Sequence, residues 1–249
     1  MSIGPLFNVR LFAASADLTG RSNKVSFAAE VEEKDITTFL AEDDPDSGWK
    51  KVMGGLGSST LAAEGFWEAG DESKVDDEAW ANLGSVIPFT IAPGGAAVGS
   101  LAYVFKALRS EYKFGGAVGD VAPWTAGATG SWPVARGKVL HPPGTARTAT
   151  GNGTAVELSA VSSSQYLYAT LHVLSVAGTS SPTITVKVQS DVDNSFGSPT
   201  DQITFTAATA IGGQAQRTIG AITDSWFRVV HTISGTNPSF LYICSIGVK

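Results

Sequence analysis

Two short runs place carboxylates at the alternate spacing of an oxygen-lined calcium loop. In Asp44-Pro-Asp46-Ser-Gly48 the twelfth position, where a bidentate carboxylate belongs, is Gly55; in Asp191-Val-Asp193-Asn-Ser195 it is Gln202. Both read as solvated turns, and no metal is expected. Of the three histidines, His172 and His231 fall inside apolar runs that suit a hydrogen-bonded structural role, and His141 precedes Pro142 in an apparent linker. There is no Gly-x-Ser-x-Gly elbow, phosphate loop, dinucleotide fingerprint or His-Glu-x-x-His helix. A hydrolase built on paired carboxylates needs two acids in an apolar cleft, and no segment supplies them. No catalytic residue and no cofactor are expected.

The acids instead form a field. Between residues 30 and 78 there are 15 acidic and 4 basic side chains, and the whole chain of 249 residues carries a formal net charge of -6. That balance argues against ordinary phosphate binding, which needs clustered cations. Charged residues are only 16% of the chain, glycine reaches 28 residues, and Ser and Thr are frequent, a bias toward short strands and turns. A single cysteine, Cys244, excludes an intrachain disulfide framework. The N-terminus lacks a basic segment followed by a long apolar run, and no window approaches the roughly 20 apolar residues of a membrane helix, so export and a membrane partner are not expected.

The elements that would carry these residues are strands. Thr183-Ile-Thr-Val-Lys-Val-Gln189 alternates strictly, and similar runs occur at 155–161, 166–176, 202–206, 216–222, 226–233 and 240–246. Seven short strands at about ten-residue spacing predict an antiparallel jelly-roll or Ig-like sandwich over residues 153–249. Leu140-His-Pro-Pro-Gly144 marks the end of a first domain over 1–143, with a linker at 144–152. In the first domain, strands are predicted at 6–13, 60–68, 86–92, 101–114 and 131–139. In 25–32, Val25, Phe27, Ala29 and Val31 share one face and Glu30 and Glu32 the other, a strand with an acidic side. Trp49, Val52, Met53 and Leu56 fall at i, i+3, i+4 and i+7, which predicts a short helix. A second helix is predicted over 77–83, with Ser73 and Asp76 as a capping box and Gly84 after its end. Gly115-Gly-Ala-Val-Gly-Asp120 and Gly127-Ala-Thr-Gly130 weaken a strand but let a backbone or partner chain approach closely.

The ordered segments Lys24-Val-Ser-Phe-Ala-Ala-Glu-Val-Glu-Glu-Lys-Asp-Ile-Thr-Thr-Phe39, Gly48-Trp-Lys-Lys-Val-Met-Gly-Gly-Leu56 and Ser59-Thr-Leu-Ala-Ala-Glu-Gly-Phe-Trp67 resemble the major tail tube proteins of long-tailed, siphovirus-type bacteriophages. The likeness is best over residues 8–140, and Ala14-Ser-Ala-Asp-Leu-Thr-Gly20 fits that family's opening hairpin turn. It implies an all-β fold: an N-terminal tail-tube β-sandwich or barrel with short flanking helices and a C-terminal sandwich decorating the tube's exterior. It implies a structural virion protein whose rings of six stack head to tail into the tube that conducts the genome at ejection. The implied partners are the chain itself, the tape measure protein and DNA held loosely inside, and the tail terminator and distal tail proteins. The implied location is the virion tail, after synthesis and assembly in the bacterial host cytoplasm.

On that reading Glu30 and Glu32 are candidates for the tube lumen, with Glu64 and Glu111 beside them, because an acidic wall repels phosphates over a Debye length of about 8 Å. The alternative, that these carboxylates point outward or into ion pairs, stands beside it. The segment 40–57 is the candidate inter-ring contact, through Asp43, Asp44, Pro45 and Asp46 in its loop and Trp49 and Met53 behind it. A rival reading is a carbohydrate-binding or adhesin module that contacts host-surface glycans through Tyr166, Tyr168, Trp226 and Tyr242, although aromatics on strands more often build the core.

Overall fold

The computed structural model describes residues 8–39 and 45–249. Among them the chain is almost entirely β, in the order β1 (Arg10–Ala13), β2 (Ala16–Asp17), β3 (Ser22–Asp35), β4 (Val52–Phe66), α1 (Val75–Ala81), β5 (Val86–Ala92), β6 (Leu101–Phe114), β7 (Pro123–Gly130) and β8 (Ala135–His141). The second half adds β9 (Gly151–Asn152), β10 (Val156–Glu157), β11 (Tyr166–Asp191), β12 (Thr200–Thr204), β13 (Gly212–Ile219) and β14 (Trp226–Val248). All these strands join one antiparallel network, with the path β12-β11-β14-β8-β6-β5-β1-β2 and a branch β3-β4-β7 on β6.

Two cores lie on this network. The first buries Leu11, Phe89, Ile91, Phe105 and Trp124, with the Phe89 and Phe105 rings stacked at 5.5 Å. The second buries Leu167, Leu171, Val186, Val188, Phe227 and Tyr242. A small cluster of Phe12, Ala102, Val139 and Ile243 joins them, and β8 pairs across to β14 from Arg136 opposite Val248 to His141 opposite Cys244.

Four expectations change. The runs at 166–176 and 183–189 are one strand, as are 226–233 and 240–246: β11 and β14 form a ladder from Leu167 opposite Val248 to Asp191 opposite Trp226. The turn residues around 178–182 and 235–238 bend this ladder instead of ending it, so that both of its halves face one core. The helix predicted over Trp49–Leu56 is absent; Val52 begins β4, paired with Asp35 of β3. Its helical spacing was coincidental: Gly54 and Gly55 disfavour helix, and the fourteen-residue partner strand β3 supplies the backbone hydrogen bonds instead. The remaining helix α1 has Lys74 at its N-cap without a side-chain cap, because the Ser73 hydroxyl is taken by Asp71. Finally, β7 runs through the glycine-rich segment between β4 and β6.

Candidate self-assembly surfaces

Register fixes which carboxylates share a face. In an antiparallel pair, directly opposed residues project to the same side. Glu30 lies opposite Ser58 and Lys24 opposite Glu64 on β4. Glu64 is opposite Thr125 on β7, and Thr125 is opposite Lys113 on β6, two residues beyond Glu111. Alternation therefore puts Glu30, Glu32, Glu64 and Glu111 on one side of the β3-β4-β7-β6 sheet, while Phe27, Leu61, Ala63 and Trp124 pack into the first core on the other. The irregularity between Val31 and Glu33 adds its extra residue to β4, so the alternation of β3 is unbroken at Glu32. The structure brings all four candidates to one exposed face.

That face is charged but almost balanced. Lys24 pairs with Glu64 at 2.9 Å, Lys34 with Glu32 and Lys113 with Glu111. Four carboxylates thus meet three lysines, and Glu30 is the one without a partner among the described residues. Each pair is exposed and contributes well under about 1 kcal/mol to stability; its effect is to tie up Lys24, Lys34 and Lys113, while Lys106 on the same side of β6 lies over the Trp132 ring.

The inter-ring candidates lie on an arm. β7 covers β4 only from Thr60 to Phe66, so residues 29–35 of β3 and 52–59 of β4 project as a two-stranded ribbon. Its end is held by Ile36 N donating to the Lys51 carbonyl at 2.9 Å, by Lys51 N donating to Thr37 Oγ1 at 2.9 Å and by a Lys50–Glu33 pair. Asp43 and Asp44 lie outside the described residues. Pro45 and Asp46 stand in the turn that precedes Trp49, whose N–H donates to the Asp46 carbonyl at 3.1 Å. Trp49 is 76% exposed and Leu56 80%, and Val31, Val52 and Met53 are also exposed. A two-stranded ribbon is marginal alone in water, and this one has apolar side chains with nothing to cover them. Among the described residues β3 pairs only with β4, which leaves its second edge without a strand partner along fourteen residues.

All three histidines are buried. His141 is a correction: it ends β8 instead of lying in a linker, because its ring stacks on Tyr242 at 4.0 Å. Its Nδ1–H donates to the Tyr242 carbonyl at 3.2 Å, and Arg147 Nε donates to its Nε2 at 3.0 Å. Burial, helped by Arg147, pushes its imidazole down to about 4. His231 Nδ1 lies 3.0 Å from the Tyr242 hydroxyl. Cys244 is buried, and burial pushes its thiol up. Tyr168 and Tyr242 are buried as well, so two of the four aromatics considered for sugar stacking belong to the packing. The second calcium-like run is closed on itself: Asp193 accepts from Ser195 N at 2.8 Å and Asp191 from Ser198 N at 3.0 Å.

No family model and no curated protein matches the chain. Among solved structures it is similar to a chain of "Virion of native gene transfer agent (GTA) particle", at 13% identity and a TM-score of 0.43 over 54% of this chain and 98% of that one. It is similar to a chain of the tail of the empty GTA particle with C6 symmetry, at 14% identity and a TM-score of 0.40 over 54% and 97%. The SPP1 Dit (gp 19.1) protein, described as a paradigm of the hub adsorption apparatus in phages infecting Gram-positive hosts, matches at 12% identity and a TM-score of 0.32 over 97% and 99%. At these scores the likeness carries no functional argument.

Proposed function

We propose that this chain is a structural protein of a phage tail: copies close into rings, six to a ring, and the rings stack into a tube through which DNA passes. The observation that carries the reading is the β3–β4 arm, exposed on both faces, together with the unpaired edge of β3. Unpaired edges are normally covered or blunted, and head-to-tail pairing around a closed rotation removes them from every copy at once. The sequence likeness to tail tube subunits over residues 8–140 points the same way.

In such a ring the face bearing Glu30, Glu32, Glu64 and Glu111 lines the bore. Duplex DNA carries a charge about every 1.7 Å, and a wall of free cations would bind it at many points and stall it. Here Lys24, Lys34 and Lys113 are each held by a carboxylate and Lys106 lies over the Trp132 ring, so a passing phosphate meets few free cations on this face. Residues 153–249 then stand outside the bore as a decoration, and the tape measure, terminator and distal tail proteins meet the tube within it and at its ends.

Negative-stain electron microscopy of the purified chain tests this. Rings or hollow rods are expected, and a particle that stays at the 25.7 kDa of one copy at high concentration would reject the proposal.

A further inference from the structure

The loop joining β6 to β7, Gly115-Gly-Ala-Val-Gly-Asp-Val-Ala122, ends in an apolar knob. Val118 is fully exposed and Val121 is 71% exposed, and they lie on either side of Asp120, whose carboxylate has no partner among the described residues. The knob rises from a base already apolar, where Trp67 stacks on Phe114 at 5.8 Å and Phe114 remains more than half exposed.

The opposite end of β6 borders a groove of about 630 Å³ with the complementary character. Leu101, Leu158 and Val248 give it an apolar lining, and Arg136, Lys138 and Glu157 are its charged residues. Lys138 Nζ donates to the Glu157 carbonyl at 2.7 Å, and Arg136 has no partner among the described residues. Leu101 is paired with Lys138 at this end and Phe114 with Trp124 at the other. The intervening strand spans roughly 40 Å, so the knob cannot reach the groove of its own chain.

We infer that loop 115–122 of one copy seats in the groove of the next, with Asp120 against Arg136 and Val118 and Val121 on Leu101, Leu158 and Val248. The inference rests on the tail-tube reading and deepens it by naming a heterologous contact, which propagates head to tail because its two halves are different surfaces. The groove's excess of cations and the knob's lone carboxylate select this occupant over a second basic surface.

A carbodiimide cross-link, which joins a carboxylate to an amine with no spacer, tests the contact in the assembled full-length protein. An Asp120–Lys138 peptide pair is expected by mass spectrometry, and it disappears in Asp120→Asn. Asp120→Arg alone and Arg136→Glu alone abolish assembly at concentrations where the parent assembles, and combining them restores it; circular dichroism checks that each variant is folded. Assembly that survives both single reversals, or Asp120 linked only to a lysine other than Lys138, overturns the contact and leaves the tail-tube reading standing. A parent chain that never assembles overturns both.

Discussion

Thr90 Oγ1 on β5 lies 2.9 Å from His172 Nε2 on β11, a buried hydrogen bond that ties the first core to the second. The other ring nitrogen lies 2.8 Å from the Ala14 carbonyl, which only accepts, so Nδ1 carries the proton and Nε2 accepts from the Thr90 hydroxyl. Thr170 Oγ1, 2.7 Å from Thr90 Oγ1, completes the chain by donating to it. With the imidazole neutral, every donor in this chain has one acceptor.

Burial pushes His172 down to about 4, against weaker opposing pulls from the Ala14 carbonyl and Asp17. The unfolded chain takes up the proton near pH 6.5 while the folded chain resists until about 4, so stability is full above about 6.5 and declines between those limits as pH falls. With His141 displaced equally far, the loss by pH 5 is about 2 kcal/mol per histidine. Urea midpoints at pH 7 and pH 5 measure it. His172→Gln is expected to start lower at pH 7 and to lose less on acidification; an unchanged pH slope in that variant would exclude His172 as a source.

The first core holds one buried ion pair, Glu78 of α1 accepting from Arg109 of β6. Burial outweighs the attraction of Arg109 and raises the Glu78 carboxyl above its ordinary range, while Arg109 Nε has no hydrogen-bond partner among the described residues. The pair fastens α1 to the sheet at a high desolvation cost. Glu78→Leu or Arg109→Met alone is expected to lose about 3–5 kcal/mol by stranding a charge, whereas the double variant returns to within about 1 kcal/mol of the parent or exceeds it. Chemical denaturation of the three variants completes the cycle; additive losses would mean the two residues act independently.

How much of this was legible in the sequence depended on where the hydrogen bonds went. The sequence limits of β5 and β6 match the structure: β5 is an apolar run buried on both faces after Val86, and the first part of β6 is packed into the first core. The glycines of β7 weaken it as a strand in isolation, yet a Cβ at Gly130 would stand 2.0 Å from Ser59 Oγ, so the residue that weakens the strand locally is what lets it fit. The stripe of Trp49, Val52, Met53 and Leu56 had helical spacing, but a partner strand some twenty residues away decided the outcome, and no local pattern encodes that pairing. The acidic side of β3 is visible in sequence; that Glu64 and Glu111 share it depends on three strand registers, β3–β4, β4–β7 and β7–β6. The histidine contacts at the junction left no sequence signal beyond apolar neighbours.

At the bend of the β11–β14 ladder, Gly178 faces Pro238 and Gly235 faces Pro182. A Cβ at Gly178 would lie 2.9 Å from Pro238 Cα, and one at Gly235 would lie 2.7 Å from Pro182 Cα. Both glycines have positive φ, +129° and +111°, so a side chain meets strain and backbone together. Gly178→Ala is expected to cost about 2–3 kcal/mol. Gly84→Ala, at φ +82° with open space around it, is the control and should cost about 1 kcal/mol. Equal losses at the two sites would show that φ alone matters and that the crowding at the bend is absorbed.

The arm separates folding from assembly. Trp49 and Leu56 are so exposed that removing them from one copy uncovers no core, and a surface change of this kind stays within about 0.5 kcal/mol. In a stacked ring the same side chains would be desolvated anchors, where truncating a large apolar residue costs about 2 kcal/mol or more per contact. Each copy repeats the contact, so the losses multiply along the polymer. Trp49→Ser with Leu56→Ser is therefore expected to unfold at the parent's urea midpoint and to stay in small particles by sedimentation velocity. Parent-like polymers from this variant would remove the arm from the assembly contact, and a collapsed urea midpoint would place the two side chains in the fold of the single chain.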